Sequence, residues 1–452
     1  LLKLVENNSF LSTLSSLYYA NGFELYLVGG AVRDGILDIP TNDFDFTTNA
    51  TPEESIELLK KNSYKTTEVG KAFGTIELYD QERAVHITTF RKDTYETDSR
   101  NPEIEKAADL ITDLSRRDFT INSIAYSLET NELIDPFSGL KDLASGTIST
   151  PDDPIISFSD DPLRMLRVCR FVSTHGFSPE NETYIAMKEN IERIKIITKE
   201  RIRDEINKLL VGKSPSMGIR TLVESGLSLY IIPEINELKI EVDPKHHHKD
   251  VYEHTLAVLD GVPPKLTLRM GALLHDIAKP NTKGIENGKV HFRHHEVVGA
   301  RMTKKILKEL KYDNKTIEDI ALLVEQHLRP HTFKMGWTDS AVRRYIVDAG
   351  HMLEDLNQLV RADVTTKNKT KAKEIYENLD EMEKRIEEVK AKEELSKIRP
   401  ALSGDEIMEH FNIKPGPKVG VIMKALYEQR LNEGEVSKED ALKLAEETYK
   451  NL

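Results

Sequence analysis

Cysteine is almost absent from this chain: Cys169 is the only one among 452 residues. One thiol excludes an intrachain disulfide framework and a cysteine-rich zinc cage. Long apolar runs are missing as well. No stretch approaches the roughly 18–20 apolar residues that a membrane-spanning helix needs, and Leu1–Phe10 lacks the basic and apolar regions of a signal peptide. The expected location is therefore cytoplasmic, without a membrane partner. Positive charge is not in excess, since 63 Lys and Arg face 76 Asp and Glu for a net charge of −13. That argues against a uniformly basic nucleic-acid binder, although phosphate attraction follows local potential rather than the total. There is no internal repeat and no low-complexity tract.

What is present has a globular balance, with 39% hydrophobic and 31% charged residues. The length implies about three to four domains. Residues 1–150 alternate short β-branched or aromatic runs with helical stretches, and strands are expected at 25–28, 43–47, 75–78 and 84–91. Thr51 is placed to cap a helix that starts at Pro52, with Glu53 and Glu54 in its first turn. Asp135, Pro136 and Gly139 mark an exit turn, followed by a polar, turn-rich segment around Gly146–Pro154. From Asp161 onward the period is helical: Leu163, Leu166, Val168 and Phe171 form one apolar set, which Ile185, Ile191, Ile194 and Ile202 continue. Residues 371–398 are dense in Lys and Glu, and Ile375, Leu379 and Ile386 form only a narrow stripe, as in a solvated helix or helical connector. Lys414-Pro415-Gly416-Pro417 reads as a stiff turn before another helix.

Three short elements carry the candidate chemistry. Gly29-Gly30-Ala31-Val32-Arg33-Asp34 directly follows the first strand. Two glycines let backbone N–H groups approach an anion, a helix starting there adds its positive end, and Arg33 could clamp a phosphate with two hydrogen bonds. Gly-Gly after a strand also serves as a plain turn. The second element is Asp43-Phe44-Asp45-Phe46-Thr47. Residues two apart on a strand share a face, so Asp43 and Asp45 project together while Phe44 and Phe46 enter the core. A divalent cation would relieve their repulsion, and hard oxygen donors suit Mg²⁺ with substrate phosphates completing its shell. An exposed acidic strand end is the alternative. The third element, Arg116-Arg117-Asp118-Phe119-Thr120-Ile121-Asn122, offers two guanidiniums, an acid and an amide to a triphosphate and a sugar.

In order and spacing, these elements resemble the class II tRNA nucleotidyltransferase and bacterial poly(A) polymerase family. Asp135-Pro136-Phe137-Ser138-Gly139 and Asp161-Pro162-Leu163-Arg164-Met165-Leu166-Arg167 extend the resemblance over nearly the whole chain. It implies an α+β fold. An N-terminal nucleotidyltransferase palm, a mixed sheet with helices, would occupy residues 1–148 and an all-α neck residues 149–225. An HD domain would follow over residues 226–370, and a helical tRNA-binding tail over residues 371–452. The resemblance also implies that Asp43 and Asp45 hold Mg²⁺ ions that activate an RNA 3′-hydroxyl and stabilise an in-line displacement releasing pyrophosphate. Gly29, Gly30, Arg33, Arg116, Arg117, Asp118 and Asn122 would bind nucleotide. His86 departs from the family pattern, which often has an acid before the Ile-Thr-Thr-Phe-Arg strand. Glu77, on the neighbouring strand, is the candidate for a third carboxylate.

Asp161, Arg164, Arg167 and Arg170 recur every three residues, which keeps the first three on one broad side of a helix. In the family the matching positions read the incoming base. A carboxylate accepts from the exocyclic amine of C or A, and arginine donates to the adjacent ring nitrogen. U and G reverse that pattern and would leave buried polar groups unpaired, at about 1–3 kcal/mol each. The family usually has Glu before this aspartate, where this chain has Asp160. A salt-bridged surface helix is the plain alternative. Residues 160–213 carry 11 Lys and Arg against 9 Asp and Glu, a mildly positive stretch in an acidic chain.

His254, His275-Asp276 and Asp363 match the ligand order of HD-domain phosphohydrolases. That implies a site for one or two divalent ions, of unassigned identity, and an activated water. His294 and His295 could extend it toward a second ion, while His246-His247-His248 reads as a solvated turn, with contact to the site as the alternative. The expected function is template-independent addition of C, C and A to the tRNA 3′ end from CTP and ATP, with a possible additional HD phosphohydrolase activity. A poly(A) polymerase or a CC- or A-adding enzyme is the alternative. Thr338-Asp339-Ser340-Ala341-Val342-Arg343-Arg344-Tyr345 and Arg361-Ala362-Asp363 favour the CCA reading through their likeness to HD-containing CCA enzymes. An alarmone synthetase/hydrolase carries its HD domain first and leaves the arginines unexplained. A non-catalytic RNA-binding protein leaves the intact Asp43, Asp45, Arg116 and Arg117 unexplained. Oligomeric state is not indicated.

Overall fold

The computed structural model describes residues 9–67, 74–80, 83–94, 103–107, 109–240, 250–287, 289–366, 368–392 and 399–452. It forms two compact units, Leu1–Asn236 and Glu237–Leu452. Among the described residues, no helix is long and apolar enough to cross a membrane.

The first unit begins with α1 (Ser9–Ala20), β1 (Leu25–Val28), α2 (Gly30–Ile36), β2 (Phe44–Thr48) and α3 (Pro52–Lys61). Then come β3 (Thr66–Thr67), β4 (Thr75–Asp80), β5 (Arg83–Thr89), β6 (Arg91–Thr94), β7 (Glu103–Lys106), α4 (Leu110–Ser115), β8 (Ala125–Ser127) and β9 (Glu132–Ile134). Seven strands form one sheet in the order β3-β4-β5-β2-β1-β8-β9. β2 and β5 run parallel and the other pairs antiparallel, so the sheet is mixed. Thr51 caps α3 in a reciprocal capping box: its hydroxyl accepts from the Glu54 N–H (3.3 Å), and the Glu54 carboxylate accepts from the Thr51 N–H (2.8 Å). Such a cap stabilises a helix by about 1 kcal/mol.

Two strand boundaries differ from the sequence pattern. β2 starts at Phe44, which leaves Asp43 just before the strand. The strand expected at 84–91 breaks at Phe90, because burial overrides β-propensity there. Its ring joins Val28, Ala107, Leu110, Leu114 and Ala125 in a second small core, and Arg91 opens the separate β6–β7 hairpin. The main core gathers Leu27, Phe44, Phe46, Ile76, Leu78, Val85 and Ile87 with α1 and α3 side chains.

Helices follow the sheet: α5 (Gly139–Ser145), α6 (Pro154–Asp160), α7 (Leu163–His175), α8 (Asn181–Glu189), α9 (Lys199–Leu210) and α10 (Pro215–Glu224). Asp161 and Pro162 form the break between α6 and α7, and the Asp161 carboxylate accepts from the Leu163 N–H (3.1 Å). α7 buries Leu163, Met165, Leu166, Val168, Cys169, Phe171 and Val172. Gly218 of α10 lets that helix press onto α7, since a Cβ there would sit 2.8 Å from Ser173 Cβ and 2.9 Å from the Cys169 carbonyl. Ile185 is not part of the apolar set: it is 46% exposed, because α8 turns Thr183, Ala186 and Met187 inward instead.

In the second unit, α11 (Val251–Gly261), α12 (Leu266–Leu274), α13 (His295–Glu309), α14 (Asn314–Gln326), α15 (Asp339–Ala349) and α16 (Leu353–Asp363) are followed by α17 (Lys369–Lys392). α17 is not merely solvated. Leu379, Met382, Ile386 and Val389 are buried, and Arg361 of α16 binds Asp380 (2.6 Å) and Glu383 (2.8 Å) on it. The C-terminal helices Gly404–Phe411, Pro417–Glu433 and Lys438–Lys450 share a small core of their own around Ile407, Ile422, Leu426 and Ala445. The stiff turn at Lys414–Pro417 leads directly into the second of them. His246-His247-His248 and residues 393–398 lie outside the described residues.

Candidate functional site

The sheet sets out a row of titratable side chains. In β2, Phe44 and Phe46 are 1% exposed and face the core, so Asp45 points to the other face. β2 pairs Asp45 with His86 of β5, and β5 pairs His86 with Glu77 of β4. His86 Nδ1 lies 3.4 Å from Asp45 Oδ1 and 3.7 Å from Asp43 Oδ1, and its Nε2 lies 3.7 Å from Glu77 Oε1. Asp43, Asp45 and His86 can each turn one donor atom to a common point. Desolvation first, and the charge of Asp45 second, raise the pKa of Asp43, while the interaction with Asp45 raises that of His86. Two carboxylates and an imidazole in mutual reach fit a divalent cation. Glu77, the candidate third carboxylate, meets His86 instead and accepts a hydrogen bond from Thr67 Oγ1 (2.9 Å).

The glycine turn adjoins this row. Gly29, with φ +70°, ends β1, and a Cβ on it would lie 3.2 Å from Arg117 Nη1 and 3.8 Å from Asp45 Oδ2. The turn therefore needs glycine twice over, for its left-handed backbone and for the close approach of Arg117. Sequence reasoning missed the residue that holds the arginines. Asp113 is 0% exposed and accepts from Arg116 Nε (3.0 Å) and Nη2 (2.8 Å), Arg117 Nη2 (3.2 Å) and Thr47 Oγ1 (3.0 Å). The available signal was an acid three and four residues before the arginine pair, the helical spacing at which opposite charges meet.

Burial by itself would raise the Asp113 pKa, but Arg117 and Arg116 more than offset it and hold the carboxyl below its ordinary value of 3.8. A group depressed on folding adds stability that is complete above its unfolded pKa and is lost as pH falls through the folded one. Asp113→Asn should therefore cost about 3–5 kcal/mol at neutral pH by removing the buried carboxylate that two partly buried guanidiniums share. That cost should shrink only below pH 3.8, as measured by denaturant unfolding across pH.

The other expected residues knit α7 to the arginine element. Arg167 Nη2 meets buried Asp118 at 2.7 Å, and Asn122 donates to Asp118 at 2.9 Å. Arg33 is turned inward: it donates to Asn122 (2.7 Å) and Asp34 (2.7 Å), and its guanidinium lies 5.1 Å from the Phe171 ring centre. Arg164 donates to Ser157 Oγ and to the Arg116 carbonyl, both at 2.6 Å. Asp161 pairs with Arg201 of α9 (3.3 Å). Arg170 binds Glu205 (3.0 Å) and lies 4.6 Å from the Phe171 ring centre, and burial and Arg167 push its pKa down to about 10.

The second unit holds a separate cluster. His275 and Asp276 sit in the turn just after α12, not on the helix itself. His254 Nε2 lies 2.9 Å from Asp363 Oδ1, 3.2 Å from His275 Nε2 and 3.4 Å from Asp276 Oδ2. All four expected ligands thus converge. On the other side of Asp276, its Oδ1 faces His295 Nε2 (3.3 Å) and His327 Nε2 (4.0 Å). His294 instead stands out in solvent with an 80% exposed side chain. His327 and His331, the latter 3.3 Å from Asp363, were missed, because neither carries a local motif. Asp276 Oδ1 and His295 Nε2 are buried without a hydrogen-bond partner, which a cation between them would explain. Burial pushes the pKa of His327 down to about 3, the neutral form that a metal ligand requires. Asp276 and Asp363 raise that of His275 against its burial, so protons gather where a cation would sit.

Residues 25–149 match the family model of the poly A polymerase head domain, and residues 176–239 that of the probable RNA and SrmB- binding site of polymerase A. Residues 246–364 match the HD domain. The A-adding tRNA nucleotidyltransferase of Deinococcus radiodurans is 31% identical over 418 residues, which are 89% of this chain and 91% of that protein. The CCA-adding enzyme of Geobacillus sp. strain WCH70 is 30% identical over 417 residues, or 92% and 90% of the two chains. The fold is that of the Bacillus stearothermophilus CCA-adding enzyme in complex with CTP, with a TM-score of 0.72 at 23% identity over 98% of both chains.

Proposed function

The chain belongs to the tRNA nucleotidyltransferase family that includes the A-adding and CCA-adding enzymes, and from that premise we propose that it adds C, C and A to the 3′ end of tRNA from CTP and ATP, releasing pyrophosphate. The observation that carries this reading is the meeting of Asp45 and Arg117 at the Gly29 turn, with Asp43 in reach of Asp45, in the unit that also holds Asp161 and Arg164. Supplying CTP and ATP to tRNA shortened at its 3′ end tests it. A second reading, addition of A alone, has the Deinococcus relative in its favour. Cytoplasmic tRNA maturation is the setting that fits either.

Asp43 and Asp45 would hold divalent cations, Mg²⁺ being the natural choice for oxygen donors and phosphate substrates. When bound, such ions supply Lewis acidity to the attacking 3′-hydroxyl and to the departing phosphate. The residues of the chain do the positioning. Arg116 and Arg117, fixed by buried Asp113, direct fixed positive charge at the triphosphate without reorganising during transfer. Gly29 and Gly30 bring backbone N–H groups beside the same charge. Asp118, Asn122, Arg33 and Arg167 form a largely buried network that locks α7 against the arginine element, while Arg170 ties α7 to Glu205 of α9. Asp161 and Arg164 stand at the start of that locked helix, where a carboxylate and a guanidinium suit the hydrogen-bonding edges of C and A.

The His254, His275, Asp276 and Asp363 cluster lies in the other unit, and we assign it a divalent cation and a role separable from nucleotide addition. His275→Ala combined with Asp276→Ala should lower bound metal, measured by elemental analysis, and remove any phosphohydrolase activity. CTP and ATP incorporation should stay close to that of the unaltered chain. Loss of incorporation in a folded variant would contradict this separation.

A further inference from the structure

The position beside the two aspartates is filled by an imidazole, which the adjacent strand β5 presents to them in register. Val85 and Ile87 flank His86 and are each 1% exposed, Ile76 and Leu78 flank Glu77 and are equally buried, and Phe44 and Phe46 flank Asp45. Alternation on three adjacent strands therefore sends Glu77, His86 and Asp45 to one face, and the register sets them abreast. The spacing of the donor atoms is informative. His86 Nδ1 is 3.4 Å from Asp45 and 3.7 Å from Asp43, longer than a good hydrogen bond. Donors that share one small cation through bonds of about 2.1 Å sit roughly 3–4 Å apart.

We propose that His86 is the third protein ligand of the cation held by Asp43 and Asp45, binding through Nδ1, and that Glu77 positions it through Nε2. The proposal rests on the reading of Asp43 and Asp45 as cation ligands. Glu77 is itself held, by the hydroxyl of Thr67 (2.9 Å), and its Oε1 faces Nε2 at 3.7 Å. A carboxylate on one ring nitrogen fixes the tautomer that leaves the lone pair of the other free for a metal. Glu77 thereby serves the site as a positioning residue rather than as a third carboxylate.

This donor set has a consequence for metal choice. Imidazole is a softer donor than carboxylate, so two carboxylates and one imidazole favour Mn²⁺ over Mg²⁺ more than three carboxylates would. The preference belongs to residue 86 and should move with it. Replacing His86 by Glu restores a hard oxygen donor at the same register position without emptying the site.

The test uses the full chain and reads metal binding without substrate. Mn²⁺ affinity is measured from the EPR signal of free Mn²⁺, Mg²⁺ affinity by competition, and the ligating atoms by ¹⁴N modulation in pulsed EPR. Asp43→Asn serves as the reference lacking this site, so that signals from the second histidine cluster cancel in the difference. Glu77→Gln should weaken Mn²⁺ binding about 10- to 100-fold, the usual effect of losing the partner of a ligating histidine. His86→Ala should do at least as much. His86→Glu should keep the site, lose the ¹⁴N modulation and lower the ratio of Mn²⁺ to Mg²⁺ affinity. An unchanged ratio and unchanged modulation in His86→Glu would overturn the assignment of His86 alone. If Asp43→Asn changes neither metal binding nor nucleotide addition, the reading of the aspartates falls together with it.

Discussion

Asp43→Asn or Asp45→Asn should lower nucleotide addition by about a thousandfold or more, on the basis that metal-assisted charge stabilisation is worth several kcal/mol. The amide keeps the shape of each side chain and removes only the charge, so packing around Phe44 and Phe46 should be untouched. Asp45 lies on the half-exposed face of β2 and Asp43 just before the strand, neither in the core, which makes loss of folding an unsuitable explanation for lost activity. Binding of tRNA should survive, because neither substitution removes a positive charge. Single-turnover incorporation of CTP, with filter binding of tRNA alongside, separates the two effects. Near-normal incorporation in either variant would remove that aspartate from the cation site.

Base choice should respond to Asp161→Ala and Arg164→Lys in a different way. Discrimination against UTP and GTP should fall about ten- to a hundredfold, the equivalent of one mismatched buried hydrogen-bonding group at about 1–3 kcal/mol. Triphosphate affinity should fall less, since Arg116 and Arg117 keep their hold on Asp113. Arg164→Lys retains charge but loses the fork that reaches both Ser157 and the Arg116 carbonyl, so it tests geometry rather than charge. The readout is kcat/KM for each of the four nucleotides. Unchanged preference for C and A would show that base reading lies elsewhere, with Arg201, the partner of Asp161, as the first place to look.

How much was legible in the sequence depended on how local the determinant was. The Thr51 cap and the helical run of arginines are written in spacings of three residues and appear where the period places them, and the strand of alternating residues appears one residue later, with Asp45 on it and Asp43 just before it. Asp113 was not legible as an anchor. Its spacing to Arg116 and Arg117 is local, but the contact with Thr47 from β2 is one that only folding makes. His327 and His331 escaped for the same reason, since they reach Asp276 and Asp363 across gaps of 51 and 32 residues in the chain. Ile185 and Phe90 were misjudged because periodicity and β-propensity are weak guides where tertiary burial decides which face turns inward. Glu77 lies on the strand that the sequence pattern predicts for it, and its neighbour there is the His86 imidazole.

The central claim concerns what is added to the 3′ end. Transfer RNA lacking its last three residues should be incubated with CTP alone, ATP alone and both, and the product ends sequenced. CTP alone should yield two added cytidines, ATP alone should leave that substrate unextended, and the mixture should end in C, C and A with no further growth. Extension by ATP only when the tRNA already ends in two cytidines, with CTP never incorporated, or growth of a long adenosine tail, would contradict the account.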